Sequence, residues 1–350
     1  MINPGSTSTK IAVYDGLREV FSENIAHSTE EVGRFKRMVD QKDFRKDIVL
    51  KTLADKGIDP KSFAAVIGRG GLLKPIPSGT YAVNARLIED LTAGIQGEHA
   101  SNLGGLLADE IARPLSLPAY IVDPVVVDEL ADWARLTGFP EIKRRSIFHA
   151  LNHKYTARLA AEALGKPYAE LNLIVGHLGG GISIGAHDHG RVVDVNNALN
   201  GEGPIAPERA GTMPAADLAA ICFSGKLTLD EVKKKLAGKG GMVAHLATND
   251  LRVVEKNIQD GDTRAALVLE AMAKTTAKQI GAAAVVLKGK VDGIVLTGGL
   301  MYSTVFIDMI KSHIAFLGPV FVYPGENEMA ALAAAGVRIL SGEEQAKTYD

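Results

Sequence analysis

The chain has 350 residues, enough for two domains of ordinary size. Hydrophobic residues make up 46% and charged residues 23%, and 39 basic side chains nearly balance 41 acidic ones for a formal net charge of −2. That balance supports a sizeable core and argues against a polyanionic partner, so no nucleic acid is expected. The single cysteine, Cys222, excludes an internal disulfide and any cysteine-rich zinc site. Its apolar setting, Leu218-Ala-Ala-Ile-Cys222-Phe223, predicts a packed thiol rather than a nucleophile. The first residues carry no basic segment followed by an apolar one, so no secretory signal is expected and the cytoplasm is the default. The longest apolar stretch, about Thr263–Lys288, is interrupted every fourth residue by Glu270, Lys274 and Lys278, which predicts a wet helix face rather than a membrane span.

In chain order, Gly and Pro punctuate short β-like runs at Ile11–Tyr14, Val20–His27, Ala64–Gly68 and Ala119–Asp123. Further runs follow at Leu171–His177, Ile182–His187, Arg191–Asn196, Gly293–Thr297 and Pro319–Tyr323. Helical periodicity fits Glu30–Lys56, Ser101–Ala112, Val127–Thr137, His149–Leu164, Ala215–Phe223, Leu229–Leu236, Thr263–Lys288 and Asn327–Leu340. This alternation predicts an α/β architecture. One internal repeat stands out. Asn3-Pro-Gly5-Ser-Thr-Ser-Thr-Lys10 and the strands after it align without gaps on His177-Leu-Gly179-Gly180-Gly181-Ile-Ser183, with turn Gly16 against Gly190. Ile294-Val-Leu-Thr297-Gly298-Gly299-Leu300 supplies a third strand-to-glycine corner.

The usual nucleotide fingerprints are absent. Gly225-Lys226 is followed by Leu227 rather than Ser or Thr, and no complete GxGxxG follows a strand. The remaining option is a β-hairpin whose glycines let backbone N–H groups approach an anion. The first loop adds the hydroxyls of Ser6, Thr7, Ser8 and Thr9 and the cation of Lys10, and the second places three glycines directly after an apolar strand. Either loop alone could be an ordinary tight turn. Two in register, with a third corner, point to phosphate.

The ordered set Asn3-Pro-Gly-Ser-Thr-Ser-Thr-Lys10, Arg69-Gly-Gly71, Phe148-His149-Ala-Leu-Asn-His153, His177-Leu-Gly-Gly-Gly181, Pro207-Glu-Arg209-Ala-Gly and Gly325-Glu-Asn-Glu328 spans nearly the whole chain. In this it resembles the acetate and butyrate kinase (acetokinase) family of the actin/hexokinase/Hsp70-like superfamily. Asn196–Arg209 resembles the butyrate branch in particular. The resemblance implies two duplicated ribonuclease H-like domains, each a mixed five-stranded sheet with helices, with ATP in the cleft between them. It places residues 1–124 with 327–350 in the first and 125–326 in the second. It further implies ATP and Mg²⁺, a short-chain carboxylate substrate and a homodimer or higher homo-oligomer.

By the same resemblance Arg69 and Arg209 flank the transferring phosphoryl, His149 hydrogen-bonds to it, and Asp123 lies close to the metal and phosphates. Asn3 and Glu328 hold Mg²⁺ and its waters. Ser6, Ser8 and Lys10 belong to the first phosphate loop. Gly179, Gly180 and Gly181 meet the β-phosphate region, and Thr297, Gly298, Gly299 and Leu300 border the adenosine pocket. His99, His153 and His177 line the cleft.

The chemistry agrees with such an assignment. A carboxylate is already ionised at neutral pH and needs no general base, so alignment and cancellation of negative charge are what the protein must supply. Gly71 follows the arginine where acetate kinases place an aliphatic residue, and Phe148 remains as an apolar wall. The expected acid is therefore butyrate or isobutyrate over acetate, with an acetate or propionate kinase of the same machinery as the main alternative. Other readings stay open at this level. Arg69 and Arg209 could be surface ion-pair residues. His149 and His153 could pair on a metal, although no third ligand has convincing spacing. His187 and His189, flanking a turn, are expected in solvent, and Trp133 in core or interface packing. Glu202 and Asp194 could be catalytic or structural. A sugar kinase would want a carboxylate base, and an ATP-switched binding protein would need no acyl pocket. Only Met1 and Ile2 precede Asn3, so either the true start lies upstream or the sheet tolerates a truncated strand leading into the first loop.

Overall fold

In the computed structural model, which describes residues 1–199 and 201–350, the chain divides into two units: Met1–Val127 with Asn327–Asp350, and Asp128–Glu326. The first contains strands β1 (Ile2–Pro4), β2 (Ser8–Asp15), β3 (Arg18–Ala26), β4 (Val66–Arg69), β5 (Thr80–Ala82) and β6 (Ala119–Val122) in the order β3-β2-β1-β4-β6-β5. The second contains β7 (Asn172–Leu178), β8 (Ile182–Asp188), β9 (Arg191–Val195), β10 (Gly293–Gly298) and β11 (Val320–Pro324) in the order β11-β10-β7-β8-β9. The two orders are one topology. In each, three strands run antiparallel through a loop and a tight turn, and the next two lie parallel to the first. The repeat read from the sequence is thus a repeat of topology.

The first sheet has six strands among the described residues, not the expected five, because β5 adds antiparallel to β6. Two expected helices are corrected. Glu30–Lys56 is broken into Thr29–Gly33, a 3-10 turn at Met38–Gln41, and Lys42–Asp55. A capping box at Ser28 starts the first piece, and Asp40 bonds back to the Arg37 N–H to restart the chain. Val127–Thr137 holds only the 3-10 turn Asp132–Arg135. There Arg135 and Arg144 bond the carbonyls of Leu130 and Ala134, offering the backbone partners other than a helical ladder. Helices Ala85–Ala93, Leu251–Gln259 and Thr304–Ile314 lie outside the expected set, although Asn84, Asp250 and Ser303 cap them.

The second sheet is covered on both faces. Leu269, Met272 and Ile280 of helix Thr263–Val286 share a core with Ile184 and Leu296, and Ala157, Ala160 and Ala161 of helix Ala150–Leu164 pack with Leu173, Val175 and Val295. Such double coverage is why β7 and β10 read as continuous apolar runs. Helix Ala215–Cys222 buries no residue. Cys222 is therefore exposed, not packed as expected, and Phe223 after it is 92% exposed. Trp133, expected in core or interface packing, is 56% exposed.

In the first unit, helix Asn102–Ala112 rests directly on β4. A Cβ on Gly68 would stand 2.1 Å from the Gly104 carbonyl oxygen, and one on Gly104 would stand 2.2 Å from that of Arg69. Only a glycine pair permits this approach, and it fixes where β4 delivers Arg69. The short β1 sits at the centre of the sheet, with Asn3 opposite Lys10 on β2 and Ile2 opposite Gly68 on β4. A cavity of about 930 Å³, lined by Ile2, Ile11, Val13, Leu53, Val66 and Leu340, opens beside it.

The loop between β1 and β2 is held from beneath by Arg45, a wholly buried residue of helix Lys42–Asp55. Its Nη1 donates to the carbonyls of Gly5 and Ser8 (2.8 Å each) and to Thr9 Oγ1 (3.1 Å). Nη2 donates to the Ser6 carbonyl (3.0 Å), and Gln41 Oε1 accepts from Nη2 and Nε at 2.7 and 3.0 Å. Burial pulls the Arg45 pKa down to about 10. Because a trans peptide points its N–H opposite its C=O, the Ser6 and Thr7 N–H groups face away from the guanidinium. Arg45→Met should leave these carbonyls unsatisfied and lower stability by about 3 kcal/mol. Urea denaturation measures this, and an unchanged midpoint would exclude the clamp.

Candidate active site

Both units present polar groups at the ends of their central strands. In the first, Asn3 of β1 and Arg69 at the end of β4 meet Glu328, the first residue of helix Glu328–Leu340. Arg69 Nη1 lies 2.8 Å from Glu328 Oε1 and 3.3 Å from Asn3 Oδ1, and Asn3 Nδ2 donates to Glu328 Oε2. Arg69 is thus in an ion pair, but a largely buried one at the mouth of a glycine loop rather than on an open surface. Its charge also reaches His99. Burial first, and Arg69 second, hold that imidazole below its usual pKa. The Ser101 N–H donates to His99 Nδ1 (3.2 Å), so a neutral ring carries its proton on Nε2.

Asp123 follows β6 and is buried, with φ of +36°. Its Oδ1 accepts from Ser78 Oγ (2.6 Å) and the Gly79 N–H (2.8 Å), which hold the carboxylate in this strained position. Ser6 and Lys10 are exposed, Ser8 is half-buried, and Lys10 shares a sheet face with Asn3 as its cross-strand partner.

Gly71 does not open the space expected of it. A Cβ there would stand 2.6 Å from Asn102 Cα and Oδ1 and 2.8 Å from Leu91 Cδ2, so the protein itself fills the place of the missing side chain. Substrate size therefore cannot be read from this glycine.

In the second unit, His149 immediately precedes helix Ala150–Leu164 and His177 lies near the end of β7. Their rings stack, with centroids 3.8 Å apart and planes at 12°. Asn152, missed as a site residue, organises the neighbourhood. Its Oδ1 is 2.8 Å from His177 Nδ1, and its Nδ2 donates to the Glu326 carbonyl (2.5 Å) and lies 3.4 Å from Thr297 Oγ1. It lies within the Phe148–His153 motif, but nothing local marks an amide as a hub. Phe148 is buried with its ring edge-on to His153 at 5.0 Å.

Gly179, Gly180 and Gly181 join β7 to β8. The Gly180 carbonyl accepts from the Glu208 N–H at 2.9 Å, which turns the Gly181 N–H the other way. Arg209 lies against this loop, its Nε 3.7 Å from where a Gly181 Cβ would be. Its Nη1 donates to the Glu208 carbonyl (3.1 Å), while Nε is buried and has no hydrogen-bond partner among the described residues. An orphaned guanidinium N–H beside a glycine loop is suited to an anionic oxygen. Gly298 ends β10 against β7. A Cβ there would stand 2.3 Å from the Leu178 carbonyl oxygen, whereas Gly299 faces open space. Thr297 is buried and donates to the Gly325 carbonyl at 3.2 Å.

Asp194 and Glu202 both bind Arg144, at 2.7 and 3.3 Å, which gives them a structural role. Residue 200, within the Asn196–Arg209 stretch, lies outside the described residues. His189 is exposed as expected. His187 is not, because β8 runs on through Asp188 and buries its ring against His153, 5.6 Å away. His149 and His153 do not converge on an open metal position. Their Nδ1 and Nε2 lie 3.0 and 2.9 Å from one hydroxyl, Ser183 Oγ. No group of three or more His, Cys, Asp or Glu among the described residues could hold a metal ion. Asn3 and Glu328 offer one amide oxygen and one carboxylate. That sparse set fits Mg²⁺, which keeps several waters and leans on substrate phosphates. No helix among the described residues is long and apolar enough to cross a membrane.

The acetokinase family model matches residues 140–347. The chain is 53% identical over 348 residues to butyrate kinase 2 of Clostridium acetobutylicum, covering 99% of this chain and 98% of that one. Butyrate kinase 1 of the same organism is 52% identical over 349 residues, covering 100% and 98%. Among solved structures, acetate kinase from Porphyromonas gingivalis superposes with a TM-score of 0.78 at 20% identity, over 96% of this chain and 98% of that one, a likeness of fold. With the duplicated mixed-sheet topology and these matches along its length, the chain belongs to the acetokinase family.

Proposed function

We propose that the chain transfers the γ-phosphoryl group of ATP reversibly and in line to the carboxylate of a short-chain fatty acid, butyrate or isobutyrate. Family membership and two relatives named butyrate kinase at over 50% identity support the reaction class. Within the molecule, the carrying observation is Arg209, whose buried Nε has no hydrogen-bond partner among the described residues and lies against the Gly179–Gly181 loop. In this reading the loop N–H groups hold phosphate oxygens, and Arg209 and Arg69 cancel charge on the transferring group. His149 hydrogen-bonds to that group. Asp123 lies near the metal, Ser6, Ser8 and Lys10 contact phosphates, and Thr297, Gly298 and Gly299 border the adenosine. His99 and Phe148 contact the acid. Asn3 and Glu328 would hold Mg²⁺, which would neutralise phosphate charge when bound.

The preference for a four-carbon acid rests on the relatives and the Asn196–Arg209 stretch, since Gly71 supplies no room. The two structural units correspond in this reading to two acetokinase-type domains, 1–124 with 327–350 and 125–326. We further propose a cytoplasmic homo-oligomer. Sedimentation of purified protein checks the assembly, and a monomer at micromolar concentration would refute it.

Trapping of acyl phosphate as hydroxamate with Mg-ATP should give kcat/KM higher for butyrate or isobutyrate than for acetate or propionate. An acetate preference would overturn the substrate assignment, and ATP turnover indifferent to added carboxylate would favour an ATP-switched binding protein. Arg209→Ala should lower kcat by roughly 10²-fold with a far smaller change in KM for ATP, because the charge it meets is largest in the transition state. Arg69→Ala should act in the same direction. Unchanged kcat in both variants would remove the mechanism.

A further inference from the structure

Behind the stacked His149–His177 pair runs a line of buried polar side chains that the reaction as described leaves unused. Ser183 Oγ stands 3.0 Å from His149 Nδ1 and 2.9 Å from His153 Nε2. His153 Nδ1 is 3.4 Å from His187 Nε2, and His187 Nδ1 is 2.7 Å from the Tyr168 hydroxyl. Ser183, His153 and His187 are completely buried. Gly185, on β8 between Ser183 and His187, leaves the rings room to meet. A Cβ there would lie 3.3 Å from both His153 Nδ1 and His187 Nε2.

A neutral imidazole has one N–H and one bare nitrogen, so hydrogen bonds through a row of neutral rings must all run one way. Burial holds both His153 and His187 well below the usual histidine pKa, which keeps them neutral. Two orders are self-consistent. In the first, the Tyr168 hydroxyl donates to His187 Nδ1 and His187 Nε2–H donates to His153 Nδ1. His153 Nε2–H then donates to Ser183, and the Ser183 hydroxyl donates to His149 Nδ1. His149 then carries its own proton on Nε2. In the second every bond is reversed, and a neutral His149 ring is bare at Nε2.

The phenol separates the two orders. A phenolic hydroxyl is a better donor than an imidazole N–H, and an imidazole nitrogen is a better acceptor than a phenolic oxygen. The Arg158 guanidinium, 5.3 Å from the Tyr168 ring centre, reinforces this, since nearby positive charge strengthens an acidic O–H as a donor. The neighbouring ring points the same way. Asn152 donates through Nδ2 to the Glu326 carbonyl, so its Oδ1 is the atom that faces His177, and His177 Nδ1 bears a proton. As a neutral ring His177 is therefore bare at Nε2, on the side of the Gly179 loop. Reversal of the buried chain would leave both stacked rings without an Nε2 proton for an anion.

We propose that Tyr168, acting through His187, His153 and Ser183, is a positioning residue that fixes His149 as the Nε2–H tautomer, giving the ring an N–H donor for the transferring phosphoryl group. The donor's target rests on the kinase reading above, whereas the tautomer order does not.

The test is two-bond ¹H–¹⁵N correlation of the histidine rings in ¹⁵N-labelled full-length protein, assigned with His149→Gln, His153→Gln and His187→Gln. His149, His153 and His187 should all show the Nε2–H pattern, and His177 should carry a proton on Nδ1. Nδ1–H patterns at His153 and His187 in the wild type would overturn the proposal. Tyr168→Phe removes the group that separates the two orders. Nδ1–H signal should then appear at His149, and kcat should fall by roughly 3- to 10-fold, tracking the remaining Nε2–H fraction, with KM for ATP unchanged. A His149 pattern and kcat both equal to the wild type would remove Tyr168 from this role, and so would a loss of kcat without any tautomer change. Should Tyr168→Phe not fold, the wild-type spectra still decide the order. Nε2–H patterns in a protein without carboxylate kinase activity would keep the tautomer order and sink the kinase reading.

Discussion

A loop that binds an anion through its backbone must dispose of its carbonyls, because every N–H it offers is joined to a C=O pointing the other way. In the proposed reading Arg45 meets that constraint for the first loop. One buried guanidinium takes three loop carbonyls and a threonine hydroxyl, with Gln41 as the remaining acceptor. No carboxylate neutralises it among these contacts, so its charge remains beneath the loop, where an anion above would be attracted. Although β1 is only three residues long, the loop after it is held by a helix as well as by its strands.

The second loop reaches the same end with different parts. The backbone N–H of Glu208 ties down the Gly180 carbonyl, and the following residue, Arg209, thereby lies beside Gly181. One segment thus shapes the loop and delivers the cation. The Glu208 carboxylate is itself held by Asn249 Nδ2 at 2.6 Å, which keeps it from a close pair with Arg209, 3.6 Å away. Among the described residues this leaves the guanidinium a donor to spare, in contrast to Arg69, which is paired with Glu328.

Between helix Ala150–Leu164 and the sheet beneath it, apolar packing gives way to a polar seam. The alanines of this helix meet leucine and valine along one stretch, while Asn152, His153 and Thr156 are buried beside them with their bonds satisfied. Buried polar groups of this kind add less to stability than apolar ones would, but they admit few arrangements. Stacked imidazoles need that restriction if each is to present a defined nitrogen.

By itself the sequence determined the duplicated hairpins, the α/β class and most of the residues at the strand ends. Those features are local: turn glycines, apolar runs and loop composition act over a few residues. The same local reading placed His187 in solvent next to a turn, packed Cys222 in an apolar helix and gave Gly71 empty space. Only the tertiary structure reversed these, because burial depends on which element lands opposite, and in each case that element lies far away in the chain or is absent. Arg45 reads as one more cation in a charged helix until the loop some 40 residues earlier folds over it. The close approach of Gly68 and Gly104, the Arg209 Nε left without a partner among the described residues and the proposed order of protons from Tyr168 to His149 belong to the same class. Each is a relation between distant segments, and only packing brings those together.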